Sequence, residues 1–172
     1  MKKKFFLYGF LFLIAALFVY YFFPEAALPA NSRIDKIIVY KAKREMEVFS
    51  AGKLLKTYTI SLGGEPEGDK QFQGDKRTPE GNYFIDGKNP NSVCYKNLGI
   101  SYPSEQDKAE AKKLGKPAGG DIKIHGMWNG WGLVGKFHRW MDWTAGCIAV
   151  TDEEMDELYE SVEEGVEIEI RP

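Results

Sequence analysis

Residues able to do covalent or metal chemistry are scarce here: the 172-residue chain holds two cysteines and two histidines. Two cysteines exclude a disulfide-dense scaffold and leave only the single pair Cys94 and Cys147 in an exported chain. A zinc site built on Cys147, His125 and His138 is disfavoured, because their spacing matches no compact ligand set and no fourth ligand is evident. Positive charge is not in excess either, with 23 Lys and Arg against 25 Asp and Glu. Lys2, Lys3 and Lys4 sit at the extreme N-terminus, so the remainder is acidic. Without a clustered basic face to neutralise phosphates, nucleic acid is excluded as a partner. Internal repeats and low-complexity tracts are lacking, and one folded domain suits this length. Nothing in the pattern specifies an oligomeric state.

The chain does open on a long aromatic and aliphatic run, Phe5 to Phe23, whose only breaker is Gly9. About 20 apolar residues suffice to cross a bilayer as a helix. The segment from Pro24 to Ala30 makes a poor cleavage site, so the run reads as an uncleaved anchor in preference to a secretory signal. Lys2 to Lys4 then stay cytoplasmic, and everything after Phe23 is delivered outside. The expected organisation is an anchor over residues 1–23, a proline-containing tether over 24–33 and a folded domain over 34–172.

Within that domain the signals are mainly β. Lys36 to Lys41, Glu45 to Ser50 and Leu54 to Ser61 read as strands joined by tight turns. Leu62 to Gly81 lacks apolar periodicity and reads as a long loop, a kind that is more often functional than idle. Asn82 to Asp86 resumes a strand, and the polar stretch from Gly87 to Pro90 breaks it. Ser104 opens a polar helix to about Leu114. Asp121 to His125 alternates, placing Ile122 and Ile124 on the buried face and His125 on the other. Gly126 to Trp143 is crowded with glycine and aromatics and reads as a large irregular loop, its tryptophans chiefly packing anchors. Cys147 to Thr151 follows as a short strand. Thr151 and Glu154 form a capping box for a helix that ends at Gly165, and Val166 to Ile170 alternates as the last strand.

Cys147 is the residue with chemistry to offer. A thiol becomes a nucleophile when an imidazole pairs with it or takes its proton, and His125 and His138 are the choices. Gly146 removes a side chain where a carbonyl must approach, leaving the N–H groups of Gly146 and Cys147 free for a developing oxyanion. Cys147 shares a strand face with Ala149, a small neighbour that leaves room beside the sulfur. Cys94 reads as a plain buried thiol, and Lys76 and Arg77 as solvated charges.

Ile124-His125-Gly126, the aromatic loop and Thr144-Ala145-Gly146-Cys147 together resemble the signature of the YkuD-type L,D-transpeptidase catalytic domain. Gly74 to Gly81 resembles the turn of these domains, and Ile100-Ser101-Tyr102-Pro103 their substrate-side segment. The resemblance implies a curved sheet or β-sandwich with one or two peripheral helices, outside a single N-terminal transmembrane helix. It implies a periplasmic-type cell-envelope enzyme acting on peptidoglycan stem peptides without metal or organic cofactor. Cys147 would attack the third residue's carbonyl of a stem tetrapeptide and release the terminal D-alanine, and an amine or water would resolve the thioester. His125 would be the base, the Gly126 carbonyl would orient its ring, and Gly146 would serve the oxyanion. Thr144, His138, Arg139 and Tyr102 would meet the substrate. Hydrolysis by an L,D-carboxypeptidase or amidase, and a non-catalytic wall-binding module, are the rival readings. Two positions depart from the pattern: Ala145 replaces a second histidine, and Ala149 replaces Arg or Asn, a role Arg139 or Lys136 could take over.

Overall fold

Strands that bury every second side chain account for both ends of the domain. The computed structural model describes residues 2–172. Helix α1 (Lys2–Phe22) is followed by β1 (Ile34–Tyr40), β2 (Glu45–Ser50) and β3 (Lys53–Thr59), an antiparallel meander. The last strand, β8 (Val162–Arg171), returns to pair parallel with β1, setting Ile37 beside Ile168 and Val39 beside Ile170. Those four side chains are all buried, as their alternation requires.

The other half of the sheet is β4 (Gly81–Ser92), β5 (Tyr95–Ile100), β6 (Lys123–His125) and β7 (Ile148–Ala149), and the full order is β3-β2-β1-β8-β4-β5-β6-β7. The sheet curls into a half-barrel until its two ends meet. Past β3, Ser61 pairs with Ala149 of β7 through N–H···O bonds of 3.0 and 2.8 Å, and Gly63 pairs with Thr144. Helix α2 (Glu105–Lys113) lies outside, and α3 (Asp152–Ser161) closes the core with Met155 and Leu158. Both carry capping boxes, Ser104 with Asp107 and Thr151 with Glu154, satisfying N–H groups that the first turn leaves unpaired.

Three expectations are corrected. Residues Gly87 to Pro90 do not break a strand: β4 runs through them and forms a hairpin with β5, a strand whose own pattern is too polar to show alternation. Helix α3 stops at Ser161, because Val162 is taken into the sheet opposite Ile34, and Gly165 lies inside β8 at φ 90°. The region after Gly126 contains a tight helical segment over Gly132–Trp140.

The long loop of residues 62–80 is held by one buried knot. Asp75 accepts the Lys70 ammonium at 2.6 Å and the N–H groups of Gln71, Phe72 and Arg77. Burial alone would raise this carboxyl's pKa, yet these four donors reverse the effect and lower it. Lys41, just past the end of β1, reaches in to the carbonyls of Gly68 and Thr78 and to Glu80. Asp75→Ala strands the buried Lys70 charge, so a loss of about 3 kcal/mol is expected, read as a lower denaturant midpoint. In the intact protein the Asp75 contribution is present above the unfolded carboxyl pKa and is lost as pH falls through the lowered folded value.

Candidate active site

Parallel pairing of β6 with β7 brings His125 level with Ala149 and so sets Cys147, just before β7, beside the start of β6. The turn that delivers Cys147 depends on Gly146. Its φ is 132°, and a Cβ there would stand 2.6 Å from the Arg77 carbonyl oxygen, so only glycine fits without displacing backbone. The Gly74 to Gly81 segment therefore acts as the floor under the turn that carries Cys147. Thr144 ties the turn off from above: its hydroxyl accepts the Gly146 N–H at 3.1 Å and donates to the Cys147 carbonyl at 2.8 Å.

Cys147 and His125 line one pocket of about 320 Å³ with Cys94, Asp121, Lys123, Trp128 and Trp143. His125 is buried, covered by Trp143 in an edge-on contact with ring centroids 5.6 Å apart. Its Nδ1 is 2.7 Å from the Gly126 carbonyl. A carbonyl can only accept, so Nδ1 carries the proton and Nε2 is left with its lone pair. Burial lowers the pKa of this imidazole, outweighing the Gly126 bond, and the Lys123 charge lowers it further. The ring is a neutral base at neutral pH.

The thiol is also held neutral. Burial raises the Cys147 pKa, while the backbone N–H and the ammonium of Lys123 pull it down. The sulfhydryl faces the Asp121 carbonyl at 3.6 Å. The thiol and the imidazole that line this pocket are thus both held neutral.

Several expected site residues have other employment. The Gly146 N–H is spent on Thr144, so of the two anticipated oxyanion donors only the Cys147 N–H has no acceptor among the described residues. Thr144 lines the pocket, but its hydroxyl is committed to the turn. Tyr102 is buried and donates to the Ala118 carbonyl at 3.0 Å; it lines a neighbouring cavity with Asp121 and Lys123 and not the Cys147 pocket. His138 is buried behind the loop, where the Ser61 hydroxyl meets its Nδ1 at 3.1 Å and its carbonyl at 2.9 Å. Burial, with the charges of Arg139 and His125, holds its pKa at about 4. Arg139 and Lys136 pair with Glu25, Arg139 also pairs with Glu154, and neither lines the Cys147 pocket. Ala149 itself is fully buried in the sheet closure and does not border the pocket, while Ala145 is exposed at its rim.

Two pocket residues escaped the sequence reading. Cys94 is a free thiol at the β4–β5 hairpin tip, which Asn129 pins to the loop through the Tyr95 N–H and the Ser92 carbonyl, each at 3.0 Å. Lys123 supplies the pocket's cation and pairs with Asp121 at 2.6 Å. Its place on the same strand face as His125 was the available signal.

A model of the YkuD family, the L,D-transpeptidase catalytic domain, matches residues 34–170, and the chain belongs to that family. YafK of Escherichia coli (strain K12) is 28% identical over 132 residues, covering 73% of this chain and 46% of that protein. The helical cell shape determining protein Pgp2 of Campylobacter jejuni, solved as a point mutant, superposes with TM-score 0.60 at 25% identity. That match covers 82% of this chain and 48% of Pgp2. Bd1075 of Bdellovibrio bacteriovorus shares the fold, with TM-score 0.55 and 22% identity over 81% of this chain and 48% of its own. The chain thus spans about half the length of these relatives.

Removing the pocket's cation tests the electrostatics. Lys123→Met is expected to raise the Cys147 pKa and slow alkylation by iodoacetamide at pH 7 by about 3- to 10-fold, with the rate recovered at higher pH. Equal rates in both proteins at every pH would remove Lys123 from the account.

Proposed function

We propose that the domain is a peptidoglycan L,D-transpeptidase with Cys147 as nucleophile and His125 as base. The observation that carries this reading is a thiol and an imidazole with a bare Nε2 lining one pocket of a YkuD-family domain. The thiol proton passes to His125 Nε2 as sulfur attacks the carbonyl of the third stem residue. Collapse of the tetrahedral adduct returns that proton to the departing D-alanine amine and leaves a thioester. The amine of a neighbouring stem attacks the thioester, forms the new amide, and its surplus proton restores the thiol through His125. The Cys147 N–H is the donor available to the oxyanion. Residues Lys3–Phe22 of α1 are long and apolar enough to cross a membrane, and none of that stretch is buried. They anchor the domain on the outer face of the cytoplasmic membrane, where wall peptides are reached.

Incubation with disaccharide tetrapeptides separates the possible outcomes. Cross-linked dimers with free D-alanine are expected, and Cys147→Ala is expected to yield neither. Tripeptides without dimers would replace transfer by hydrolysis, and binding without any product would replace catalysis by wall attachment.

The pH profile of acylation carries the protonation states. His125 must be neutral to accept the proton, and burial lowers its pKa below the ordinary 6.5. The acid limb of the acylation rate is therefore expected below pH 6.5, measured by stopped-flow with a nitrocefin-type or carbapenem reagent. A midpoint well above pH 7 on that limb would contradict a neutral buried base.

A further inference from the structure

The loop joining His125 to Cys147 leaves a row of large apolar side chains in water: Trp131, Leu133, Trp140 and Met141 are 65%, 90%, 61% and 67% exposed. Buried area gives no reason for them to be apolar, and exposed clusters of this kind mark an interaction surface. Their position shows against what. The outer end of α1 packs on the same loop, with the Tyr20 ring 5.8 Å from Trp140 and from Phe137, and the Tyr21 ring 5.3 Å from Phe137. The Tyr21 hydroxyl donates to the Leu133 carbonyl at 2.8 Å, and the Tyr20 hydroxyl to the Lys136 carbonyl at 3.3 Å. Gly135 makes the approach possible, since a Cβ there would stand 2.9 Å from the Tyr21 ring.

The join is locked just past the helix. Lys136 donates to the Phe23 carbonyl, and Glu25 pairs with Arg139 at 2.7 Å and with Lys136 at 3.3 Å. A helix of this length matches the hydrocarbon thickness of about 30 Å, which puts its terminal tyrosines at the headgroup level. Whatever touches those tyrosines lies at that level too.

We propose that Trp131, Leu133, Trp140 and Met141 sit in the outer headgroup region of the bilayer that α1 crosses, so that the loop between the two site residues is a second membrane contact. The inference rests on the anchor reading above. The basic residues beside the patch are already paired with Glu25 and Glu154, so apolar insertion and not attraction to anionic lipid drives the contact. The contact fixes the height of the pocket above the membrane and restricts acyl transfer to peptide stems in the membrane-proximal layer of the wall.

No tryptophan lies in α1, so tryptophan emission reports on the loop alone. The full chain, reconstituted in zwitterionic phosphatidylcholine vesicles brominated near the headgroup, is compared with unbrominated vesicles. Trp140 is isolated by Trp128→Phe, Trp131→Phe and Trp143→Phe, and Trp143 by the reciprocal set. Emission of Trp140 is expected to fall about two-fold on bromination, with Trp143, inside the pocket, little changed. Leu133→Glu with Met141→Glu in the otherwise unaltered chain is expected to reduce the quenching while the protein still floats with vesicles. Flotation with no more quenching of Trp140 than of Trp143 would overturn the loop contact and leave the anchor standing. Failure to float would overturn both. Emission that follows protein density but ignores bromination would assign the patch to a second copy of the chain, and overturn the proposal as well.

Discussion

The contact between the Arg77 carbonyl and the α-carbon side of Gly146 is the constraint on which the site depends. It is a backbone-to-backbone approach that no side chain survives, with a hypothetical Cβ 2.6 Å from the carbonyl oxygen. Nothing soft lies on either side of it. Below, the Asp75 knot and the Lys41 ammonium hold residues 68–80 in place, and above, Thr144 spends its hydroxyl on both ends of the turn. Cys147 is thereby presented from a turn tied down on both sides, a placement that would preset the geometry of attack for the proposed nucleophile.

Closure of the sheet serves the same end. The bridge from Ser61 to Ala149 joins the far end of the meander to the short strand after Cys147, and parallel pairing with β6 sets His125 alongside. Both site residues are therefore referred to one hydrogen-bonded frame. Burial then adjusts their chemistry: it disfavours the thiolate and the imidazolium alike, so the resting pair is neutral. Lys123 opposes this at the sulfur and reinforces it at the ring, which makes one cation a control on both partners.

Legibility from sequence followed the strength of local pattern. The first and last strands of the domain, β1 and β8, are rich in Ile and Val and were readable, as was the capping box of Thr151 and Glu154. That Cys147 and His125 share one pocket was readable because the surrounding tetrapeptide and glycine are specific as a set. The β4–β5 hairpin was not, since Gly87 to Pro90 and Tyr95 to Asn97 carry polar or half-exposed side chains on both faces. With that hairpin went the place of Cys94 in the pocket. Thr144, Tyr102 and Arg139 read as substrate contacts, and each also has a partner, 3, 16 and 114 positions away, that only the folded chain reveals. Ala149 shows the converse: its place in the sheet closure, opposite Ser61, is set by a bridge that the sequence pattern does not announce.

The central claim is that Cys147 is the acyl-accepting nucleophile. Intact-protein mass spectrometry after exposure to a carbapenem, a reagent this family is expected to accept, tests it most directly. One adduct is expected on the wild-type chain, none on Cys147→Ala, and an unchanged adduct on Cys94→Ala. An adduct that survives Cys147→Ala, or a folded wild-type protein that takes up none, would contradict it.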